Sequence, residues 1–104
     1  MSDYGLFGKM TAIAGEGDTL AGHLLEAAVA LEELAACRLY VVSRDPADPE
    51  AVWVMEVWES AEAHRASLEL AAVQALIARA RPLIVGMGER FELIPIGGKG
   101  LASR

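Results

Sequence analysis

The sequence has 104 residues, which is room for one domain, and 54% of them are hydrophobic. Its net charge of −6 disfavours a nucleic acid partner, and no apolar stretch is long enough to cross a membrane. Residues 1–9 lack the pattern of a secretion signal and Cys37 is the sole cysteine, so we expect a cytoplasmic protein without an internal disulfide.

The first half of the chain predicts a strand, a helix and a second strand. The strand covers residues 4–14. Apolar residues then recur every three or four positions over residues 19–34, which predicts a helix, and Asp18 is expected to cap it. β-Branched and aromatic residues predict the second strand over residues 37–45. The two prolines in residues 45–49 predict a loop.

The second half predicts a strand, a helix and a strand. Residues 51–59 form a third strand that is apolar on both faces. Ser60 is expected to cap a helix that continues to Pro82, with a break near residues 69–71. A last strand over residues 90–96 suits the edge of a sheet, and residues 97–104 form a flexible tail by composition.

This order predicts a single α+β domain over residues 1–104, of the ferredoxin-like βαββαβ type. Its antiparallel sheet would have four strands, with both helices on one face. The third strand then leaves Trp53, Met55 and Val57 on the opposite face from Val52 and Val54. Because large exposed apolar patches are rare, we expect that the same face of a second copy covers the open side, giving a homodimer.

Metal and nucleotide sites are not predicted. No glycine-rich phosphate loop lies between a strand and a helix, and His23 and His64 fall on different helices. We therefore expect no metal and no bound cofactor. Met55 and Met87 are interpreted as core residues, His23 as solvated, and Cys37 as a buried and unreactive thiol.

The passage from the third strand into the second helix carries the most informative motif. A Glu-x-Trp ends the strand, and a Ser-capped helix with an early His follows: Glu56, Trp58, Ser60 and His64. Together with residues 5–11 and 40–45, this pattern resembles the antibiotic biosynthesis monooxygenase family, including its quinol monooxygenases. The resemblance implies a dimeric α+β barrel with a cavity between helices and sheet. It also implies oxidation of phenolic, anthrone or quinol substrates by molecular oxygen without bound flavin or metal.

The resemblance and the chemistry of the side chains suggest roles in such a reaction. His64 is predicted to act as a base or proton shuttle because imidazole titrates near neutral pH, and Trp58 to stack on the substrate. Tyr40 and Arg44 would bind a carbonyl or phenolate, and Glu56 would orient His64. Each has a structural alternative. Trp58 would be a core residue, Tyr40 would pack with its hydroxyl in solvent, and His64 would bond to Glu56 or to the backbone. Arg44 would pair with a carboxylate near the loop, at position 45, 48 or 50.

The leading hypothesis is a cofactor-independent monooxygenase that acts on a small quinol or hydroxylated aromatic. Haem degradation is disfavoured, because relatives with that activity rely on an Asn in the first strand and this sequence contains none. Two alternatives stay open. One is a non-catalytic small-molecule-binding or scaffold dimer of the same fold, and the other is an isomerase or lyase that would use His64 without consuming oxygen.

Overall fold

The computed structural model describes residues 3–101 and has a ferredoxin-like α+β fold, as predicted. The elements are β1 (Tyr4–Ala12), α1 (Gly17–Ala30), β2 (Cys37–Asp45), β3 (Asp48–Trp58), α2 (Ala61–Ser67), α3 (Ala71–Ala80), a 3-10 turn (Arg81–Leu83) and β4 (Ile84–Leu93). The four strands form one antiparallel sheet in the order β2, β3, β1, β4. None of the helices within residues 3–101 is long and apolar enough to span a membrane.

The helices pack on the face of the sheet that carries the even-numbered residues of β3. Val52 is fully buried and packs with Leu20 of α1 and Ala80 of α3. Trp58 is 1% exposed and lies in a second cluster with Leu31, which follows α1, and Val73 of α3. The core is therefore divided into two clusters along β3, and the residues of β3 between them border an open space.

The opposite face of the sheet is apolar and bare. Met55 lies between Phe7 of β1 and Val41 of β2, and Phe7 stacks on Trp53 with 4.8 Å between ring centroids. Val41 is 45% exposed and Met55 is 40% exposed. Phe91 and Leu93 of β4 are each 46% exposed. The expectation that β3 is apolar on both faces is confirmed. The interpretation of Met55 as a core residue is wrong for this chain, because its side chain lies on the open face.

The connection between β2 and β3 is shorter than predicted. A tight turn at Pro46 and Ala47 replaces the loop expected over residues 45–49, and β3 already begins at Asp48. The register shifts between Arg44, which pairs with Val52, and Asp45, which pairs with Asp48. Pro49 lies inside this shift, where its missing N–H is not needed for pairing. The proline therefore marks a bulge in the strand.

The start of α1 also differs from the prediction. Asp18 makes no cap, and the residue at the N-cap position, Glu16, makes no side-chain cap either. Instead Glu50 of β3 accepts hydrogen bonds from the backbone N–H groups of Gly15, at 2.6 Å, and Gly17, at 2.9 Å. A carboxylate from a distant strand thus satisfies one free donor in the first turn of this helix and one just before the helix.

The second helical segment confirms the cap and the break that were predicted. Ser60 Oγ accepts the N–H of Ala63 at 3.0 Å, and the chain turns between α2 and α3 at residues 68–70. β4 begins six residues earlier than expected, at Ile84, because Gly86 and Gly88 are accommodated in an irregular part of its pairing with β1. Residues 102–104 of the predicted flexible tail lie outside the described residues.

Candidate active site

A cavity of about 540 Å³ lies between the helices and the sheet. Its walls are mostly apolar, and it has the size of a small-molecule site. The sheet contributes Tyr40, Glu56 and Trp58, and the helices contribute His64 of α2 and His23 of α1. Four of the five residues predicted as site residues therefore border one cavity.

Glu56, Trp58 and His64 form a contact group in the wall of this cavity. Glu56 and Trp58 are two residues apart on a strand, so their side chains share a face, and Trp58 Nε1 donates to Glu56 Oε1 at 2.9 Å. His64 is the fourth residue of the short helix α2, and its Nε2 is 3.8 Å from the same carboxylate oxygen. The rings of Trp58 and His64 meet edge to face at 5.5 Å. The Ser60 cap fixes where α2 begins and thereby brings His64 to the carboxylate.

The surroundings of His64 favour the neutral imidazole. Its side chain is 14% exposed and that of Glu56 is 17% exposed. Burial lowers the pKa of His64 below its ordinary value, Glu56 opposes this shift, and Arg90 and Arg65 act in the same direction as burial. At neutral pH the imidazole is therefore unprotonated and can accept a proton from a ligand.

Tyr40 adds a hydrogen-bond donor to the cavity. It is the partner of Glu56 across the β2 and β3 pairing, so both side chains lie on the helix-covered face. Burial raises the pKa of Tyr40 far above its ordinary value, and the nearby carboxylate of Glu56 adds to the shift. The hydroxyl stays protonated and can donate to a carbonyl or phenolate oxygen.

A smaller cavity of about 170 Å³ adjoins the first. Glu56 and His64 border both cavities, and Gly8 of β1 and Arg90 of β4 border only the smaller one. Within residues 3–101, no group of three or more His, Cys, Asp or Glu side chains could hold a metal ion.

Comparison with known proteins gives the family of the chain. The family model for antibiotic biosynthesis monooxygenases matches residues 4–79. The chain belongs to the antibiotic biosynthesis monooxygenase family. The matched region contains β1, β2, β3 and α2. It therefore includes Glu56, Trp58 and His64.

Solved structures of this family have the same fold. A protein from Chloroflexus aurantiacus J-10-fl, titled a "putative Antibiotic biosynthesis monooxygenase", is 48% identical over 97% of this chain and 100% of its own, with a TM-score of 0.90. Two more proteins with this description share the fold. The one from Deinococcus radiodurans is 23% identical over 97% of this chain and 98% of its own, with a TM-score of 0.70. The one from Caulobacter crescentus CB15 is 15% identical over 92% of each chain, with a TM-score of 0.83. No curated protein matches the chain.

Arg44, which was predicted to bind substrate, borders neither the larger nor the smaller cavity. Its guanidinium bonds to the carboxylate of Asp18 and to the carbonyl oxygen of Pro49, next to the start of α1. The turn between β2 and β3 is tight, so Arg44 is held at the end of the hairpin and away from Tyr40. The structure therefore gives Arg44 a structural role, as the alternative expected, but with Asp18 as its carboxylate partner and not a carboxylate of the loop.

His23 and Arg90 are residues of the site region that sequence reasoning missed. His23 was predicted to be solvated, but its side chain is 21% exposed and borders the larger cavity, with Nδ1 3.2 Å from Glu26 Oε1. Arg90 is aligned with Gly8 in the β1 and β4 pairing, which puts it on the helix-covered face. Met87 also borders the larger cavity and is 68% exposed, so it is not a core residue.

Proposed function

We propose that this member of the family is a cofactor-independent monooxygenase that oxidises a small quinol or hydroxylated aromatic with molecular oxygen. The observation that carries the proposal is the neutral imidazole of His64, held beside the carboxylate of Glu56 in the wall of a mostly apolar cavity. This combination supplies a base for a hydroxyl group and a stabilising charge for the protonated base.

The proton step uses His64 and Glu56. An unprotonated His64 accepts the proton of a substrate hydroxyl, which makes the ring electron-rich enough to react with oxygen. The imidazolium formed in this way lies 3.8 Å from Glu56 Oε1, within the range of an ion pair. His64 then returns the proton to the oxygen atom that leaves as water.

The substrate itself supplies the electrons. A ring C–H of the quinol becomes C–OH with one oxygen atom of O₂, and the two quinol hydroxyls become carbonyls. The other oxygen atom leaves as water with the two hydrogens that the substrate loses. The substrate gives up four electrons and O₂ accepts four, so the reaction balances without another reductant.

The remaining residues of the wall would orient the substrate. Tyr40 donates from a protonated hydroxyl to a ring oxygen, and the indole of Trp58 offers a planar edge to the ring. Because Trp58 is 1% exposed and bonded to Glu56, it is held rigidly. A rigid wall favours one orientation of a flat substrate beside His64.

The assembly that we propose is a homodimer in the cytoplasm. The bare apolar face of the sheet supports the dimer, because its residues lose contact with water if the same face of a second copy covers them. Cys37 is a free thiol without a second cysteine in the sequence, which suits a reducing compartment.

The experiment that tests the function measures oxygen uptake and product formation with a panel of small quinols and ¹⁸O₂. We expect turnover above the uncatalysed rate, with one labelled oxygen atom in the product. His64→Gln should lower kcat/KM by about a hundredfold or more, because a positioned base contributes about that much. Glu62→Gln, on the same helix with a side chain 79% exposed, is the control and should keep full activity.

Three results would contradict the proposal. Turnover equal to the uncatalysed rate with every quinol would favour a non-catalytic binding protein. Product formation without oxygen uptake would favour an isomerase or lyase. Full activity of His64→Gln would remove the proposed base from the mechanism.

A further inference from the structure

The smaller cavity has space beside β1 because of a glycine. Gly8 carries no side chain on the helix-covered face, and a Cβ built there would lie 3.8 Å from Cγ of Arg90. The side chain of Arg90 therefore starts next to Gly8 and borders the cavity, while the residue as a whole is exposed to solvent. Its guanidinium can meet both the cavity and water.

Arg90 lacks a carboxylate partner among residues 3–101, although two glutamates flank it closely in sequence. Glu89 is 3.9 Å from Lys9, and Glu92 accepts the hydroxyl of Tyr4 at 2.6 Å. Lys9, the other cation that borders the cavity, is paired with Glu89 and lies 5.8 Å from the centre of the Trp53 ring. The side chain of Arg90 has the hydroxyl of Tyr4 as a hydrogen-bond neighbour. Because this neighbour is neutral, it leaves the positive charge of Arg90 uncompensated, and that charge can attract an anionic ligand.

The two cavities share the residues proposed for the proton step. His64 and Glu56 border both, so a ligand that places a hydroxyl at His64 can extend into either cavity. The larger cavity is mostly apolar and suits an aromatic ring. The smaller one, at about 170 Å³, has room for a short polar substituent but not for a second ring system of the same size as the first.

We propose that Arg90 and the smaller cavity bind a carboxylate substituent of the aromatic substrate. The substrate class is then a hydroxylated aromatic acid, with its ring in the larger cavity, its hydroxyl at His64 and its carboxylate at Arg90. The statement that this acid is oxidised rests on the proposed function. The statement that it binds at Arg90 does not. The net charge of −6 repels anions at long range, so direct contact with Arg90 has to supply the preference for an acid.

The test compares two probes of nearly the same size and shape that are not readily oxidised, the anion 4-hydroxybenzoate and the neutral amide 4-hydroxybenzamide. Their dissociation constants are measured by calorimetry at pH 7 on the full-length protein. We expect the acid to bind about tenfold more tightly than the amide, because a charged hydrogen bond at a partly exposed site contributes about that factor to the affinity. Arg90→Gln should reduce this preference to about twofold or less, and Arg90→Lys should retain part of it.

Arg65→Gln is the matched control. Arg65 and Arg90 both lower the pKa of His64, but Arg65 is 66% exposed and borders neither cavity. Loss of preference in both variants would mean that the general field around His64 causes it, and would overturn the assignment. A wild-type preference of less than twofold, or a full preference in Arg90→Gln, would also overturn it.

Turnover separates this inference from the proposed function. If neutral quinols are oxygenated and the acid is not preferred, the monooxygenase proposal stands and the carboxylate site is wrong. If the acid is preferred through Arg90 but no hydroxylated aromatic is oxygenated, the site stands as a binding site and the monooxygenase proposal fails.

Discussion

At the scale of single residues, Glu56 links the two aromatic neighbours of the cavity wall. Its Oε1 atom accepts the indole N–H of Trp58 at 2.9 Å and lies 3.8 Å from His64 Nε2. The Trp58 bond limits where the carboxylate can move, and the carboxylate favours the protonated form of His64. Glu56 therefore affects how readily His64 accepts and releases a proton.

The pKa of His64 should respond to the removal of this carboxylate. In the wild type, burial lowers this pKa and Glu56 partly offsets the shift, so Glu56→Gln should lower it further. Activity that needs the unprotonated base rises with pH through that pKa, and this rise should lie below about pH 6.5 in the wild type and at lower pH in Glu56→Gln. Imidazole chemical shifts measured against pH, and the pH profile of kcat/KM, give both values.

The control for this titration is Glu62→Gln, which removes a carboxylate from the same helix as His64. Glu62 is not among the groups that shift the pKa of His64, so its replacement should leave the titration unchanged. An unchanged or higher pKa in Glu56→Gln would show that the carboxylate does not stabilise the imidazolium.

The positions of the site residues could be predicted only where local patterns determine them. Glu56 and Trp58 alternate on one strand, and Ser60 fixes the start of the helix that carries His64, so their grouping follows from neighbouring residues. The positions of Arg44 and Arg90 depend on how strands pair and where their register shifts. No short segment contains that information, so the sequence alone could not place Arg44 outside the cavities or Arg90 beside the smaller one.

At the scale of elements, α1 begins through contacts with another part of the chain. Glu50 of β3 bonds to the N–H groups of Gly15 and Gly17, and its negative charge also suits the positive end of a helix. A sequence pattern finds caps within a helix and its flanks, which is why Asp18 was expected instead. The same limit applies to β4, whose irregular pairing with β1 extends it back through two glycines to Ile84.

This packing predicts opposite effects for two glycine-to-alanine substitutions in α1. A Cβ at Gly17 would overlap the carbonyl oxygen of Pro49 and lie 2.8 Å from Glu50 Oε1, so Gly17→Ala should destabilise the protein by about 1–3 kcal/mol. A Cβ at Gly22 meets nothing within 4 Å, so Gly22→Ala should stabilise it by about 0.5–1 kcal/mol through helix propensity. Urea unfolding of both variants measures these changes in the free energy of unfolding.

The paired design separates packing from propensity. If Gly17→Ala stabilises the protein to the same extent as Gly22→Ala, the close approach of α1 to the hairpin between β2 and β3 is incorrect. Because neither glycine borders a cavity, the ligand affinity of the folded variants is expected to match that of the wild type.

At the scale of the whole molecule, the sheet has a different environment on each face. One face borders the two cavities and the helices, while the other presents Phe7, Val41, Met55 and Phe91 to solvent. The pattern of β3 was sufficient to predict an apolar second face, because both sets of alternating residues are apolar. The pairing that puts Met55 at the centre of that face, between β1 and β2, became visible only in the folded sheet.

The proposed dimer can be tested by placing a charge at this centre. Analytical ultracentrifugation of the wild type at micromolar concentration should give twice the chain mass of 11.0 kDa. Met55→Glu should shift the protein to the monomer, because two facing carboxylates would be buried among apolar side chains. Val29→Glu is the matched control: Val29 is an apolar residue of α1 that is 69% exposed, away from the bare face, so this variant should remain a dimer. A wild-type monomer, or a dimer of Met55→Glu as stable as the wild type, would contradict the use of this face as the interface.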